Sequence, residues 1–177
     1  MQTLLVATIL AQDRPGIVES IASVVAEHGG NWLESRMCRL GGQFAGILRV
    51  SLPAEREASL VAALGKLTSK GINATVTSDQ TPKNAAGGRL SILEIVGHDR
   101  PGIVRQISRA LSGQGVNVEE FSTECVSAPM SGDPLFKARA VLHIPARCDM
   151  SALKAELEKI AGELMVDVTF GEVPAKD

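Results

Sequence analysis

An α+β fold of two tandem ferredoxin-like βαββαβ units, each an antiparallel four-stranded sheet with two helices on one face, is predicted for this 177-residue chain by three observations. The hexapeptide Asp-Arg-Pro-Gly-Ile-Val occurs twice, at Asp13–Val18 and Asp99–Val104, each time directly after a hydrophobic run. The echo keeps the offset of 86 that separates Asp13 from Asp99: Ile21 answers Ile107, Gly29 answers Gly115, Asn31 answers Asn117 and Glu34 answers Glu120. Within each half the patterning runs strand, helix, strand, strand, helix, strand. A repeat this long is a complete small domain and not a solenoid repeat.

In the first half, Thr3 to Ala11 is rich in Leu, Val, Ile and Thr and stops at a polar turn, as a buried strand does. A helix is expected from Pro15, with Pro15 in its first turn, Asp13 capping the free amides, and Ile17, Ile21, Val24 and Val25 on one face. Gly29 and Gly30 end it. Asn31 to Leu40 and Gln43 to Leu52 are extended runs joined by Gly41 and Gly42, which accept the positive φ of a tight hairpin. Leu60, Leu64 and Leu67 have helical spacing between Pro53 and Gly71, and Asn73 to Ser78 is the last strand.

Residues 80–89 have turn-forming composition and almost no large apolar side chain, so they are read as a linker between a first domain, 1–79, and a second, 90–177. The second half repeats the order: strand Leu90 to Gly97, helix Pro101 to Gln114, strand Asn117 to Val126, strand Phe136 to Ile144, helix Ser151 to Leu164 and strand Met165 to Phe170. It differs where Gly41 and Gly42 are answered by a longer loop, Ser127 to Pro134. One face of each sheet is left uncovered by its own helices, so some of that face or an edge is expected to meet the sister unit or another chain, and a homodimer is expected.

Composition narrows the function. A net charge of −2 and a pI near 5.9 argue against direct nucleic-acid binding, which needs a basic patch. Aromatic residues are 3% of the chain, too few for base-stacking platforms. Cys38, Cys125 and Cys148 lack CxxC spacing, so neither a disulfide scaffold nor a zinc site is indicated and a cytoplasmic home is expected. Met1 to Ala11 is read as a strand, not a signal peptide, and no apolar run is long enough to span a membrane.

The repeated turn carries the candidate chemistry. The first four amides of a helix lack intrahelical acceptors, and the helix dipole adds positive charge there. Gly16 and Gly102 let a ligand approach the backbone closely, so each turn is a candidate seat for a small carboxylate. Arg14 and Arg100 add charge or point into water. Asn31 and Asn117 offer a donor and an acceptor to an amino acid's zwitterionic head. The same residues also suit a purely structural role, because Asp, Pro and Gly cap helices and make turns whether or not a ligand binds.

Other candidates are weaker. His28, His98 and His143 lie in different elements without a paired acid or nucleophile, though His98 stands beside Asp99. Glu119, Glu120 and Glu124 read as a solvated strand face. With no P-loop, GxGxxG, GxSxG, metal cluster or acid–base pair, the chain is expected not to be an enzyme and to need no cofactor.

Two βαββαβ units, each with this turn and an Asn opening the second strand, resemble tandem ACT domains over nearly the whole chain. The free-standing pair, with the segment from Ala128 to Phe136, is similar to the glycine cleavage system transcriptional repressor family. That resemblance implies a regulator that senses glycine or a similar amino acid and represses through a DNA-binding activator protein. The alternative is a regulatory subunit of an amino-acid metabolic enzyme. The family's ligand-binding turn maps onto Asp13, Arg14, Pro15, Gly16 and Ile17 and onto Asp99, Arg100, Pro101, Gly102 and Ile103, and its strand Asn onto Asn31 and Asn117. Trp32 stands where the second half has Val118, so an indole beside the first Asn makes the two sites unequal.

Overall fold

The computed structural model describes residues 1–80, 87–128 and 132–172 and divides into two compact units, Met1–Lys83 and Asn84–Asp177. Most of the predicted linker (81–86), and Pro129, Met130 and Ser131 of the longer loop, lie outside the described residues.

The first unit runs β1 (Gln2–Gln12), α1 (Ile17–Glu27), β2 (Asn31–Leu40), β3 (Gln43–Pro53), α2 (Glu57–Lys66) and β4 (Ile72–Ser78), with 3-10 turns at Ala54–Arg56 and Leu67–Lys70 around α2. The second runs β5 (Gly88–His98), α3 (Ile103–Gly113), β6 (Asn117–Ser127), β7 (Pro134–Pro145), α4 (Met150–Leu164) and β8 (Val166–Glu172). The sheets have the orders β2-β3-β1-β4 and β6-β7-β5-β8, antiparallel throughout. This is the ferredoxin-like arrangement expected in each unit.

Period-two patterning builds each core. Leu5, Ala7, Ile9 and Ala11 point from β1 to one side, where they meet Leu48, Val50 and Leu52 of β3 and the buried stripe Ile17, Ile21 and Val25 of α1. Burying one such aliphatic side chain stabilises by about 1.5–3 kcal/mol, so the α1 stripe alone anchors a helix too short to persist in isolation. The second core has the same plan, with Leu93, Ile95, Ile107, Leu142, Leu153 and Leu157 at its centre.

Both first helices end in a Schellman motif. Gly29 and Gly30 donate to the Ala26 and Val25 carbonyls, and Gly115 and Val116 to Ser112 and Leu111. Gly41 and Gly42 both have positive φ, 57° and 78°, as the two-residue hairpin requires.

The helix starts correct the sequence reading. Gly16 and Gly102, at φ 88° and 99°, are the N-cap residues, so Pro15 and Pro101 precede the helices and do not occupy their first turns. A left-handed residue cannot continue a right-handed helix, so the chain turns in before it coils. Likewise Met165 is not the first residue of the last strand; at φ 54° it closes α4, and β8 begins at Val166.

Both β2 and β6 carry a bulge, at Trp32/Glu34 and Val118/Glu120. The extra residue brings Trp32 and Ser35, and in the second unit Val118 and Phe121, to the helix-covered side, which simple alternation would not do.

Candidate functional site

Each Asp-Arg-Pro-Gly turn leaves the end of the central strand and enters a helix whose N-terminus no side chain caps. The first helical bonds are Ser20 N–H to the Gly16 carbonyl and Gln106 N–H to Gly102, both 3.0 Å. The amides of residues 17–19 and 103–105 therefore precede the first helical acceptor. A Cβ at Gly16 would meet nothing within 4 Å, and one at Gly102 only Gln106 Nε2 at 3.9 Å, so both mouths are open. Ile17 and Ile103 are buried in the cores and offer only their backbone.

Asp13 is not the cap that the sequence suggested. Its N–H donates to the Gly42 carbonyl at 2.9 Å, and its Oδ2 receives Arg39 Nε from the end of β2 at 2.6 Å. At the 86-residue offset Arg39 corresponds to Cys125, so the second turn holds Asp99 against a thiol. Partial desolvation, then the Asp99 charge and a hydrogen bond to its carboxylate, push the Cys125 thiol above its ordinary value. Asp99 is thus beside a neutral donor where Asp13 is beside a guanidinium.

The two arginines are occupied inside their units. Arg14 donates to the Lys70 carbonyl at 2.6 Å, satisfying the end of the 3-10 turn, and Arg100 lies 3.9 Å from Met165 Sδ at the end of α4. Pro15 and Pro101 are exposed.

Asn31 and Asn117 stand apart from their own turns. Asn31 pairs with Ser51, which pairs with Leu4, whereas the turn leaves from Gln12. Eight strand residues separate those levels, ~27 Å at about 3.4 Å per residue. Asn117 is likewise level with His143 and Leu90, at the other end of β5 from His98, and its Nδ2 donates to Glu119 Oε1 at 2.7 Å. One small ligand cannot touch a turn and the Asn of the same unit. Arg39 and Cys125 were missed as site neighbours; their mismatch at the repeat offset was the signal that marked them.

Among the described residues no group of three or more His, Cys, Asp or Glu could hold a metal ion, and no helix is long and apolar enough to cross a membrane.

The family model of the ACT domain matches residues 3–76. UPF0237 protein MJ1558 of Methanocaldococcus jannaschii is 35% identical over 78 residues, 44% of this chain and 80% of that protein. The chain belongs to the ACT domain family. The ACT fold is present in both units, as two solved structures of matching length show. An unknown protein from Galdieria sulphuraria has a TM-score of 0.84 at 28% identity, over 98% of this chain and 99% of that one. A protein proposed to be a glycine cleavage system transcriptional repressor has a TM-score of 0.70 at 17% identity over 97% of each chain, a likeness of fold. ACT domains are regulatory modules, and this chain is a tandem ACT protein.

Proposed function

We propose that this tandem ACT protein is an amino-acid sensor whose second turn is the stronger binding site. The observation that carries the reading is the uncapped N-terminus of α3 beside Asp99, which has a thiol where Asp13 has Arg39. The amides behind Gly102 suit a carboxylate, and the Asp99 carboxylate suits an ammonium. The first turn has the same amides, but Arg39 neutralises its carboxylate and competes with a ligand's ammonium. Arg14, Arg100, Pro15 and Pro101 shape the turns; Asn31 and Asn117 have no part in a site confined to their own unit's turn.

Size bounds the affinity. Glycine has five heavy atoms, and at a best case of ~1.5 kcal/mol per atom binding cannot exceed roughly 7.5 kcal/mol, a low-micromolar Kd. That limit suits a metabolite sensor.

The regulatory target of this reading is glycine cleavage system transcription, repressed through a DNA-binding activator protein. Its support is the resemblance of the second domain's Ala128 to Phe136 segment, the two-unit plan, and an acidic chain poorly suited to contact DNA itself. The test has two arms. Thermal melting against a panel of amino acids is expected to show stabilisation by glycine or a close relative that Gly102→Ala weakens more than Gly16→Ala; no shift at millimolar ligand contradicts sensing. Affinity capture with and without that amino acid is expected to recover a DNA-binding protein, whereas recovery of a metabolic enzyme supports a regulatory-subunit role instead.

A further inference from the structure

The second unit contains an apolar hollow of about 230 Å³ that the turn chemistry does not use. Its floor is Leu93 and Ala140 of the sheet, one wall is Ile107 and Leu111 of α3, and the other is Val118 and Phe121 of the edge strand β6. The bulge at Val118/Glu120 turns both β6 side chains inward. Val118 and Phe121 are nonetheless 39% and 49% exposed, so the hollow opens to solvent along the strand edge. No charged side chain lines it, and Ser108 is its one polar side chain.

The duplication shows what fits there. In the first unit the place of Val118 belongs to Trp32, whose indole packs against the core of that unit, and the place of Ala140 belongs to Leu48, fully buried. Both exchanges remove volume from the second unit. Leu93 in place of Ala7 and Phe121 in place of Ser35 return about as much bulk, but Phe121 stands half exposed at the strand edge, so the space between α3 and β6 is left open as the hollow. Trp32 thus shows, within the same chain, that a flat apolar ring can lie between the helix and the bulged strand; the Ser35 Oγ that accepts from its Nε1 at 3.3 Å is replaced by Phe121 in the second unit, where a wholly apolar ring is suited.

We propose that the second unit binds a small uncharged aromatic or branched aliphatic molecule in this hollow, between α3 and β6. A dry cavity of ~150 Å³ lined by Leu, Ile and Phe accommodates benzene, so this one suits roughly six to ten carbons. Filling it restores dispersion contacts that an empty apolar hollow forfeits. A charged ligand is excluded, since nothing in the lining replaces its hydration.

The test is a titration of the full chain with indole, and separately with toluene, followed by methyl NMR. Saturable shifts are expected at the Ile107, Leu111 and Val118 methyls and not at Ile21 or Val25. Val118→Trp should weaken binding at least tenfold, because its indole would occupy the hollow. Ala140→Leu should weaken binding likewise and keeps the test decisive if the tryptophan variant does not fold. Asp99→Asn should leave indole affinity unchanged, which separates this site from the amino-acid turn. Shifts that do not saturate, or binding that survives Ala140→Leu undiminished, overturn the proposal.

Discussion

Arg39 Nε lies 2.6 Å from Asp13 Oδ2 in the first unit, while in the second the residue at the Arg39 position is Cys125, a thiol beside the Asp99 carboxylate. One exchange on an edge strand thereby makes two nearly identical turns electrostatically different. Arg39 is well exposed, so this ion pair adds little to stability. Its consequence is for what can approach Asp13.

Cys125→Arg should close the second turn. A guanidinium at that position would pair with Asp99 as Arg39 does with Asp13. Losing a charge-assisted hydrogen bond costs about 1.5–3 kcal/mol, so amino-acid affinity should fall roughly tenfold to a hundredfold, with the melting temperature little changed. Calorimetric titration of the variant checks this. The converse, Arg39→Cys, should strengthen binding at the first turn.

The Cys125 thiol should titrate above the usual thiol range. The sign follows from the neighbours: desolvation and the Asp99 charge both disfavour the thiolate, and the hydrogen bond favours the protonated form. At pH 8 a smaller fraction is therefore ionised, and alkylation is slower than for an unperturbed thiol. Asp99→Asn removes the charge and should move the pH of half-maximal alkylation down. Mass-spectrometric alkylation rates for the Cys125 peptide across pH report both effects.

Met165 is the only non-glycine with positive φ among the described residues, at 54°, where the first unit has Gly71 at 72°. Met165→Gly should remove a left-handed strain of roughly 1 kcal/mol. The side chain is 53% exposed, so little burial is lost. The second unit's melting transition is expected to rise by about 4–8 °C in calorimetry.

Gly97 separates two backbones. An added Cβ would stand 2.6 Å from both the Met165 carbonyl oxygen and Val166 Cα, across the start of the β5–β8 pairing. Gly97→Ala should destabilise by about 1–3 kcal/mol, as overpacking does. Gly162→Ala, on α4 with nothing within 4 Å of the new atom, should stabilise by roughly 0.5–1 kcal/mol and is the matched control in denaturant unfolding.

Much of this architecture was legible in the sequence because its signals are local. The paired glycines at Gly41 and Gly42, the stripe Ile17, Ile21 and Val25, and the repeated hexapeptide each report on neighbouring residues, and duplication doubled every signal. What was not legible depends on pairing across the sheet. Asp13 stands near a helix start, where a cap would, but its carboxylate pairs with Arg39, which only the β2–β3 hairpin brings close. Asn31 was grouped with the turn by its constant spacing, yet an intervening helix carries it to the opposite end of the sheet. The hollow beside Val118 depends on a bulge, and nothing in the residues 118–121 announces one.

The most direct test of the account is isothermal titration of glycine and a panel of other amino acids into wild type, Asp13→Asn and Asp99→Asn. The account predicts saturable binding of at least one amino acid, weakened at least tenfold by Asp99→Asn and little affected by Asp13→Asn. Binding that is indifferent to Asp99→Asn, or no binding of any amino acid at millimolar concentration, would contradict it.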